Sequence, residues 1–246
     1  MQKTRTHSCA VFALAMAISA CSSAADPSDP SETGNATSGA DAPAAEGYVI
    51  EVTTFRQNEA MSPDAFSAAD AEIEASYTSQ QPGFLGRISA RSEEGEWAVV
   101  VYWETTADAD ASMQRFMQDA SVADYAAAID PESMQMSRYR SSGEHTPSAA
   151  PPVLEVTRFG LAASVDPETF AVRDGEIEAS YTSAQPGFLR RGSGVNDDGE
   201  WVVVVDWEDT GSAEASMARF MSTESVSDYA AMIDGEGMSM ARYLAP

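Results

Sequence analysis

From Tyr48 onward the apolar positions change period in a readable order. Tyr48 to Phe55, YVIEVTTF, alternates and is rich in β-branched residues, which predicts a strand. Ser62-Pro63-Asp64 then supplies a capping residue, a proline at the first helical position and an acid, and Phe66, Ile73 and Tyr77 follow at helical spacing. Pro82 and Gly83 cannot continue that helix. Phe84 to Ala90 predicts a second strand, and Ser92 to Glu96 a hairpin turn. Trp97 to Trp103, WAVVVYW, is almost continuously apolar, as in a strand buried on both faces. Ala109, Met113, Phe116 and Met117 form one helical stripe. Ser121-x-x-Asp124 resembles a capping box opening a short helix through Tyr125 and Ile129, and Met134 to Tyr139 closes with a fourth strand.

The same order then returns. EIEASYTSQQPGFL at Glu72 to Leu85 recurs as EIEASYTSAQPGFL at Glu176 to Leu189, and aligning each residue with the one 104 positions later needs no gap from Val49 to Arg140. Of these 92 pairs 52 are identical, which reads as a recent internal duplication. Each copy is βαββαβ, the ferredoxin-like split unit of the α+β class, with helices on one sheet face only. The predicted helix-facing residues are Ile50 and Val52, with Leu154 and Val156. Val49, Thr53 and Phe55 occupy the other face, which is too apolar to leave in water. Two such sheets packed face to face cover one another. The expected architecture is therefore an intramolecular pseudo-dimeric α/β barrel, fusion holding the partner at an effective concentration of about millimolar.

The first residues fall outside this pattern. Lys3 and Arg5 precede a short apolar run, Cys9 to Ala20, that suits a secretory signal and is too short for a mature membrane span. The run ends in ISAC, which resembles the lipobox of bacterial lipoproteins. That resemblance implies cleavage and lipidation at Cys21; an ordinary cleaved signal is the alternative. Ser22 in place of an aspartate favours the outer membrane, facing the periplasm. Residues 21–47, rich in Ser, Ala, Pro, Asp and Gly, bury too little to fold and form a tether. The expected organisation is a signal over 1–20, the tether, a first domain over 48–140, a linker over 141–151 and a second domain over 152–246.

Charge and composition exclude several functions. The chain has 14 Lys+Arg against 39 Asp+Glu, and Lys3 is its only lysine. A nucleic-acid partner would be repelled, and a mature chain starting at Cys21 has no lysine for Schiff-base chemistry. Cys9 and Cys21 are the only cysteines, so no disulfide framework is expected. His7 lies in the signal and His145 in the linker, which leaves neither repeat with a histidine for a nucleophile triad or a metal site. The acidic pairs Glu93-Glu94 and Asp197-Asp198 sit on hairpin turns and read as solvated surface rather than as a cation site. No cofactor is expected; the expected partner is a small hydrophobic or aromatic molecule, with the membrane reached only through the lipid at Cys21 and the chain a monomer with an internal pseudo-dimer.

The PGFL turn after the first helix, the WxVVVxWE strands at Trp97 to Glu104 and Trp201 to Glu208, and the Ala-rich helix that follows resemble the dimeric α/β-barrel superfamily. More narrowly, they resemble its antibiotic-biosynthesis-monooxygenase-like domains. The resemblance covers Tyr48 to Leu244 and implies the fold. It also implies that a dry pocket with a polar anchor and a base can oxidise a phenol or quinol with O2 and no cofactor. The sequence departs from the haem-degrading relatives, whose proximal histidine lies in the second half of the domain.

On that pattern Glu51 and Glu155 are the candidate bases, placed between Val49 and Thr53 and between Val153 and Thr157 so as to point between the sheets. Arg138 and Arg242 lie on the neighbouring strand. The plainer and preferred alternative is a cross-strand ion pair that fixes register. Tyr77, Trp97, Trp103 and Tyr139, with Tyr181, Trp201, Trp207 and Tyr243, are candidates for an aromatic pocket, though at this spacing such residues are more often core. Met113, Met117, Met134 and Met136 read as adaptable packing. The copies differ at Tyr102 against Asp206 and at Arg56 against Gly160, so any two sites need not be equivalent. A small hydrophobic or aromatic ligand is the leading expectation, with a non-catalytic structural or protein-interaction lipoprotein as the rival.

Overall fold

The computed structural model describes residues 47–146 and 150–246. The signal, Cys21 and the tether up to residue 46 lie outside the described residues, as do residues 147–149 of the linker. Eight strands and six α-helices follow in the order β1 (Val49–Arg56), α1 (Pro63–Ser76), β2 (Phe84–Arg91), β3 (Glu96–Trp103), α2 (Thr106–Phe116), α3 (Ala123–Ala127) and β4 (Gln135–Arg140). The order then repeats as β5 (Val153–Leu161), α4 (Pro167–Ser180), β6 (Phe188–Val195), β7 (Trp201–Trp207), α5 (Thr210–Phe220), α6 (Ser227–Ala230) and β8 (Ile233–Leu244).

The local signals act where the pattern puts them. Ser62 accepts a hydrogen bond from the Ala65 N–H and Asp166 one from the Thr169 N–H, each ahead of a proline at the start of its helix. Gly83 and Gly187 take positive φ of 72° and 75° in the turns into β2 and β6, and Gly95 and Gly199 do so in the hairpins, where an L side chain would be strained. The expected capping box at Ser121 is not formed. Asp119 instead accepts from the Ser121 N–H and hydroxyl at 2.8 and 2.7 Å and caps a short 3-10 turn that leads into α3. Asp119, two residues earlier, starts the helical segment ahead of Ser121 and takes that serine's own N–H and hydroxyl.

All strand pairs are antiparallel, and the eight strands close into a barrel in the order β1-β3-β2-β8-β5-β7-β6-β4. The long pairings run within each run of four, β4-β1-β3-β2 and β8-β5-β7-β6. Two short junctions join them, Arg91 opposite Leu244 and Arg140 opposite Val195. Those junctions exchange under the 104-residue offset, because 91 maps to 195 and 140 to 244. The contacts between Tyr139 Oη and Glu200 (2.5 Å) and between Tyr243 Oη and Glu96 (2.9 Å) exchange in the same way.

The faces are the reverse of the expectation. Ile50 and Val52 point into the barrel with Ala98, Val100, Leu154, Val156, Val202 and Val204. Val49 and Phe55 lie on the helix side with Trp97, Val99, Val101, Trp103 and the apolar residues of α1, α2 and α3. The second run of strands has an equivalent cluster around Phe159, Phe170, Trp201 and Trp207. Alternation alone cannot tell the faces of a strand that is apolar on both. Side-chain size decides: small and β-branched residues fit between two sheets about 10 Å apart, and the tryptophans fill the deeper helix layer.

Helices and sheet are also fastened by charge. Asp70 of α1 receives a guanidinium hydrogen bond from Arg87 of β2 (Nη1 to Oδ2, 3.0 Å) and a hydroxyl bond from Tyr125 of α3 (2.8 Å). In the second run Asp174 takes the same place with Arg191 (2.9 Å) and Tyr229 (2.7 Å), and Ser193 adds a third donor at 2.6 Å. All four charged side chains are buried. Burial alone would raise the Asp174 carboxyl, but Arg191, Ser193 and Tyr229 outweigh it and hold the group below the ordinary carboxylate range.

Asp174→Ala leaves Arg191 charged and buried, and is expected to lower the unfolding free energy by about 3–5 kcal/mol at pH 7, read from denaturant titration. Because the folded state lowers this pKa, the contribution is full above the unfolded value and fades as pH falls through the folded one. The gap between wild type and variant should therefore narrow below about pH 4, the ordinary aspartate pKa. A gap that stays constant down to pH 2 would contradict the assignment.

Candidate functional site

The residues singled out in sequence divide between the two layers. Glu51 and Arg138 are register partners on β1 and β4, with Nε and Oε2 2.5 Å apart, and Arg138 also meets Asp110 of α2. Glu155 and Arg242 repeat the pair at 2.6 Å. Both carboxylates lie on the helix side, not between the sheets, so the expected projection of Glu51 and Glu155 into an inter-sheet pocket is corrected. Burial raises both pKa values and the arginines partly oppose this. The Trp103 and Trp207 indoles lie near enough to lower them slightly, without reaching full hydrogen-bond geometry.

Tyr77, Trp97 and Trp103 also belong to the helix-side core, as do Tyr181, Trp201 and Trp207 in the second run. The hydroxyls of Tyr77 and Tyr181 each donate to a backbone carbonyl, of Ser112 and Ser216, at 2.8 Å. Of the eight aromatics only Tyr139 and Tyr243 enter the barrel, and their hydroxyls are engaged by Glu200 and Glu96. Burial and the Glu200 bond push Tyr139 up to about 12, so it stays a phenol at neutral pH. The expected aromatic pocket is therefore not assembled from these residues.

Inside the barrel the structure brings together a different set. After a bulge between Phe188 and Arg190 the ordinary alternation of β6 sends two successive arginines to opposite faces: Arg191 to Asp174 on the helix side, Arg190 inward. Arg190 donates through Nε to Asp206 at 2.9 Å, through Nη2 to the Tyr102 hydroxyl at 2.6 Å and through Nη1 to the Thr146 carbonyl at 3.3 Å. Its guanidinium carbon also lies 4.3 Å from the Tyr102 ring centroid, within cation–π range.

The linker completes the cluster. His145 lies 4.7 Å from the Tyr102 ring at an interplanar angle of 34°, and 5.2 Å from the Tyr48 ring at 66°. Tyr48 itself is seated over Gly192, where an added Cβ would stand 2.6 Å from its hydroxyl oxygen. Neither His145 ring nitrogen reaches full hydrogen-bond geometry among the described residues, though the Leu85 backbone lies near enough to raise its pKa slightly. Burial, and next the charge of Arg190, depress its pKa, so the imidazole is neutral at physiological pH. Burial raises both Tyr48 and Tyr102 above the ordinary phenol range.

Sequence reasoning passed over this cluster because His145 lies outside both repeats and Arg190 directly follows the matched phrase that ends at Leu189. A signal was present in the comparison of copies. Arg190 stands where the first copy has Gly86, and Asp206 where it has Tyr102. Positions that diverge inside a shared core, within an otherwise matched strand, mark a place where the two halves do different things.

Neither a protein family nor a curated protein matches the chain. Solved structures do. A candidate monooxygenase of Lactobacillus acidophilus NCFM superposes with a TM-score of 0.58 at 11% identity, over 81% of this chain and 94% of its own. An anthrone oxidase-like protein gives 0.52 at 12% identity, over 82% and 92%. Chlorite dismutase from Candidatus Nitrospira defluvii gives 0.55 at 12% identity, over 80% and 91%. At this identity the likeness shows the fold alone: the chain is similar to dimeric α/β-barrel proteins.

Haem ligation does not fit the described residues. His145, the one histidine among them, has its ring packed against two tyrosines, and no group of three or more His, Cys, Asp or Glu side chains is placed to hold a metal ion. No helix among the described residues is long and apolar enough to cross a membrane.

In an NMR titration His145 is expected to protonate below the ordinary histidine value of about 6.5. Its signal is assigned by loss in His145→Gln. In Arg190→Gln, which removes the nearby positive charge, the midpoint should move back up. A midpoint at or above 6.5 in the wild type would contradict the packing described.

Proposed function

We propose that this chain is an envelope lipoprotein, anchored through a lipid on Cys21, whose two fused ferredoxin-like units form an intramolecular dimer. The barrel binds a small aromatic molecule with an ionisable hydroxyl at the mouth beside His145. The observation that carries the reading is the Arg190–Asp206–Tyr102 network. A buried ion pair is weak support for stability, and the related position in the first copy, Gly86, does without it. Charge kept in an apolar interior where the fold has no need of it marks a functional site.

The chemistry of the set suits a phenol. Tyr102 and Tyr48 offer ring faces, Arg190 an anchor for a phenolate, and neutral His145 a base within the same cluster. The reaction that fits without a cofactor is oxygenation by O2: His145 takes the phenol proton and Arg190 holds the anion. The anion's ring carbon bonds to one oxygen atom and becomes a carbonyl as its C–H bonds and the O–O bond break, the second oxygen leaving as water and the substrate supplying all four electrons. Glu51 and Glu155 act in this reading as the register-fixing partners of Arg138 and Arg242.

A second reading, a structural or protein-interaction lipoprotein, is favoured by the filled interior, where Arg190 already bonds to three partners. Thermal stability of residues 45–246 with quinols, naphthols, anthrones, fatty acids and haem separates the two. A compound at 100 times its Kd should add about 2.7 kcal/mol of stability. The proposal expects a shift for phenolic compounds, oxygen uptake with them, and loss of both in Arg190→Gln. No shift with any compound would favour the structural reading. For the anchor, Cys21→Ser is expected to move the protein from the membrane to the soluble fraction, and unchanged membrane association would refute it.

A further inference from the structure

A groove of about 500 Å³ runs along the junction of β2 and β8, remote in sequence from the His145 cluster. Its walls carry Arg56, Glu93, Glu94, Glu214 and Arg242, with Met240 and Leu244 as apolar surface. The 104-residue offset supplies an internal control. At the related place, the β4–β6 junction, Arg138 is held by Asp110 and Arg140 by Asp197 at 2.6 Å. The first pair ties β4 to α2 on its own side, and the second crosses the junction from β4 to the hairpin after β6.

Neither tie is made at the β2–β8 junction. Leu244 stands where the other side has Arg140, so Glu93, the counterpart of Asp197, has no cation there to meet. Glu214 replaces Asp110, yet Arg242 bonds through Nε to Glu155 and leaves its buried Nη2 without a partner among the described residues. Arg56, which faces the groove and donates through Nη1 to the Glu94 carbonyl at 3.1 Å, has only Gly160 as its counterpart. One junction is closed by its own charges; the other keeps opposite charges apart around open space.

We infer that this groove binds a small zwitterion of the amino-acid or dipeptide class with an apolar side group. Arg242, helped by Arg56, takes the carboxylate; Glu93 and Glu214 take the ammonium group; Met240 and Leu244 face the side chain. A simple anion is disfavoured by the surrounding glutamates, and a simple cation leaves Arg242 unsatisfied. The volume lies within the range of about 300–1,000 Å³ usual for small-molecule sites.

The test is calorimetric titration of the full-length chain with L-leucyl-L-leucine, its C-terminal amide and its N-acetyl form. Leu244→Arg rebuilds on this side the tie that closes the other junction, and it changes a partly exposed residue, so folding should survive. Saturable binding of the free dipeptide is expected with Kd near or below about 1 mM, weakened about 10-fold or more by either blocking group and by Leu244→Arg. Arg242→Lys, which keeps a charge for Glu155, should weaken it as well. No saturation at 10 times that concentration, equal binding of the amide, or unchanged binding in a folded Leu244→Arg variant would each overturn the assignment. Because the His145 cluster is untouched by these variants, this outcome is independent of phenol binding there.

Discussion

The constraint on which the rest depends is that each four-stranded run is apolar on both faces while its helices cover only one. Ile50, Val52, Val100 and Tyr102 on one side, and Leu154, Val156, Val202 and Val204 on the other, have no helix to meet. They meet each other, and the barrel closes because the short junctions at Arg91–Leu244 and Arg140–Val195 complete the ring. The buried Asp70–Arg87–Tyr125 and Asp174–Arg191–Tyr229 groups then pin helices to the outer faces.

A pair of related halves in one chain is free to diverge where a homodimer is not. In a symmetric dimer a substitution near the axis appears twice and must be tolerated twice. Here Arg190 enters the shared core opposite a glycine, and a single guanidinium serves both Asp206 and Tyr102. The outer junctions diverge as well, one tied by Arg140 and Asp197 and the other left open beside Leu244. On the proposed reading, duplication supplied the barrel and divergence at a few positions supplied its two dissimilar surfaces.

Much of the fold was legible because strand and helix periods are local properties. The proline-led helix starts, the glycine hairpins and the twin tryptophan strands each announce their element. Face assignment was not legible, since Val49–Phe55 is apolar at both parities and only the size of its neighbours decides which parity turns outward. That error carried Glu51 and Glu155 into the barrel in expectation and out of it in fact. The interior cluster was hidden for another reason. Its base is a linker residue, and the position of a linker depends on tertiary packing that no local pattern encodes. Only the mismatches of Tyr102 with Asp206 and of Gly86 with Arg190 left a trace in the sequence.

The central claim is that the two halves are each other's cover rather than neighbours on a string. A specific protease site inserted between Ser142 and Gly143, both exposed, allows the connection to be cut in the folded protein. Native mass spectrometry and sizing of the cut protein then read the outcome directly. The account predicts that the two fragments remain together as one non-covalent pair and separate only with loss of structure. Two fragments that part under native conditions as folded, monomeric units would contradict it.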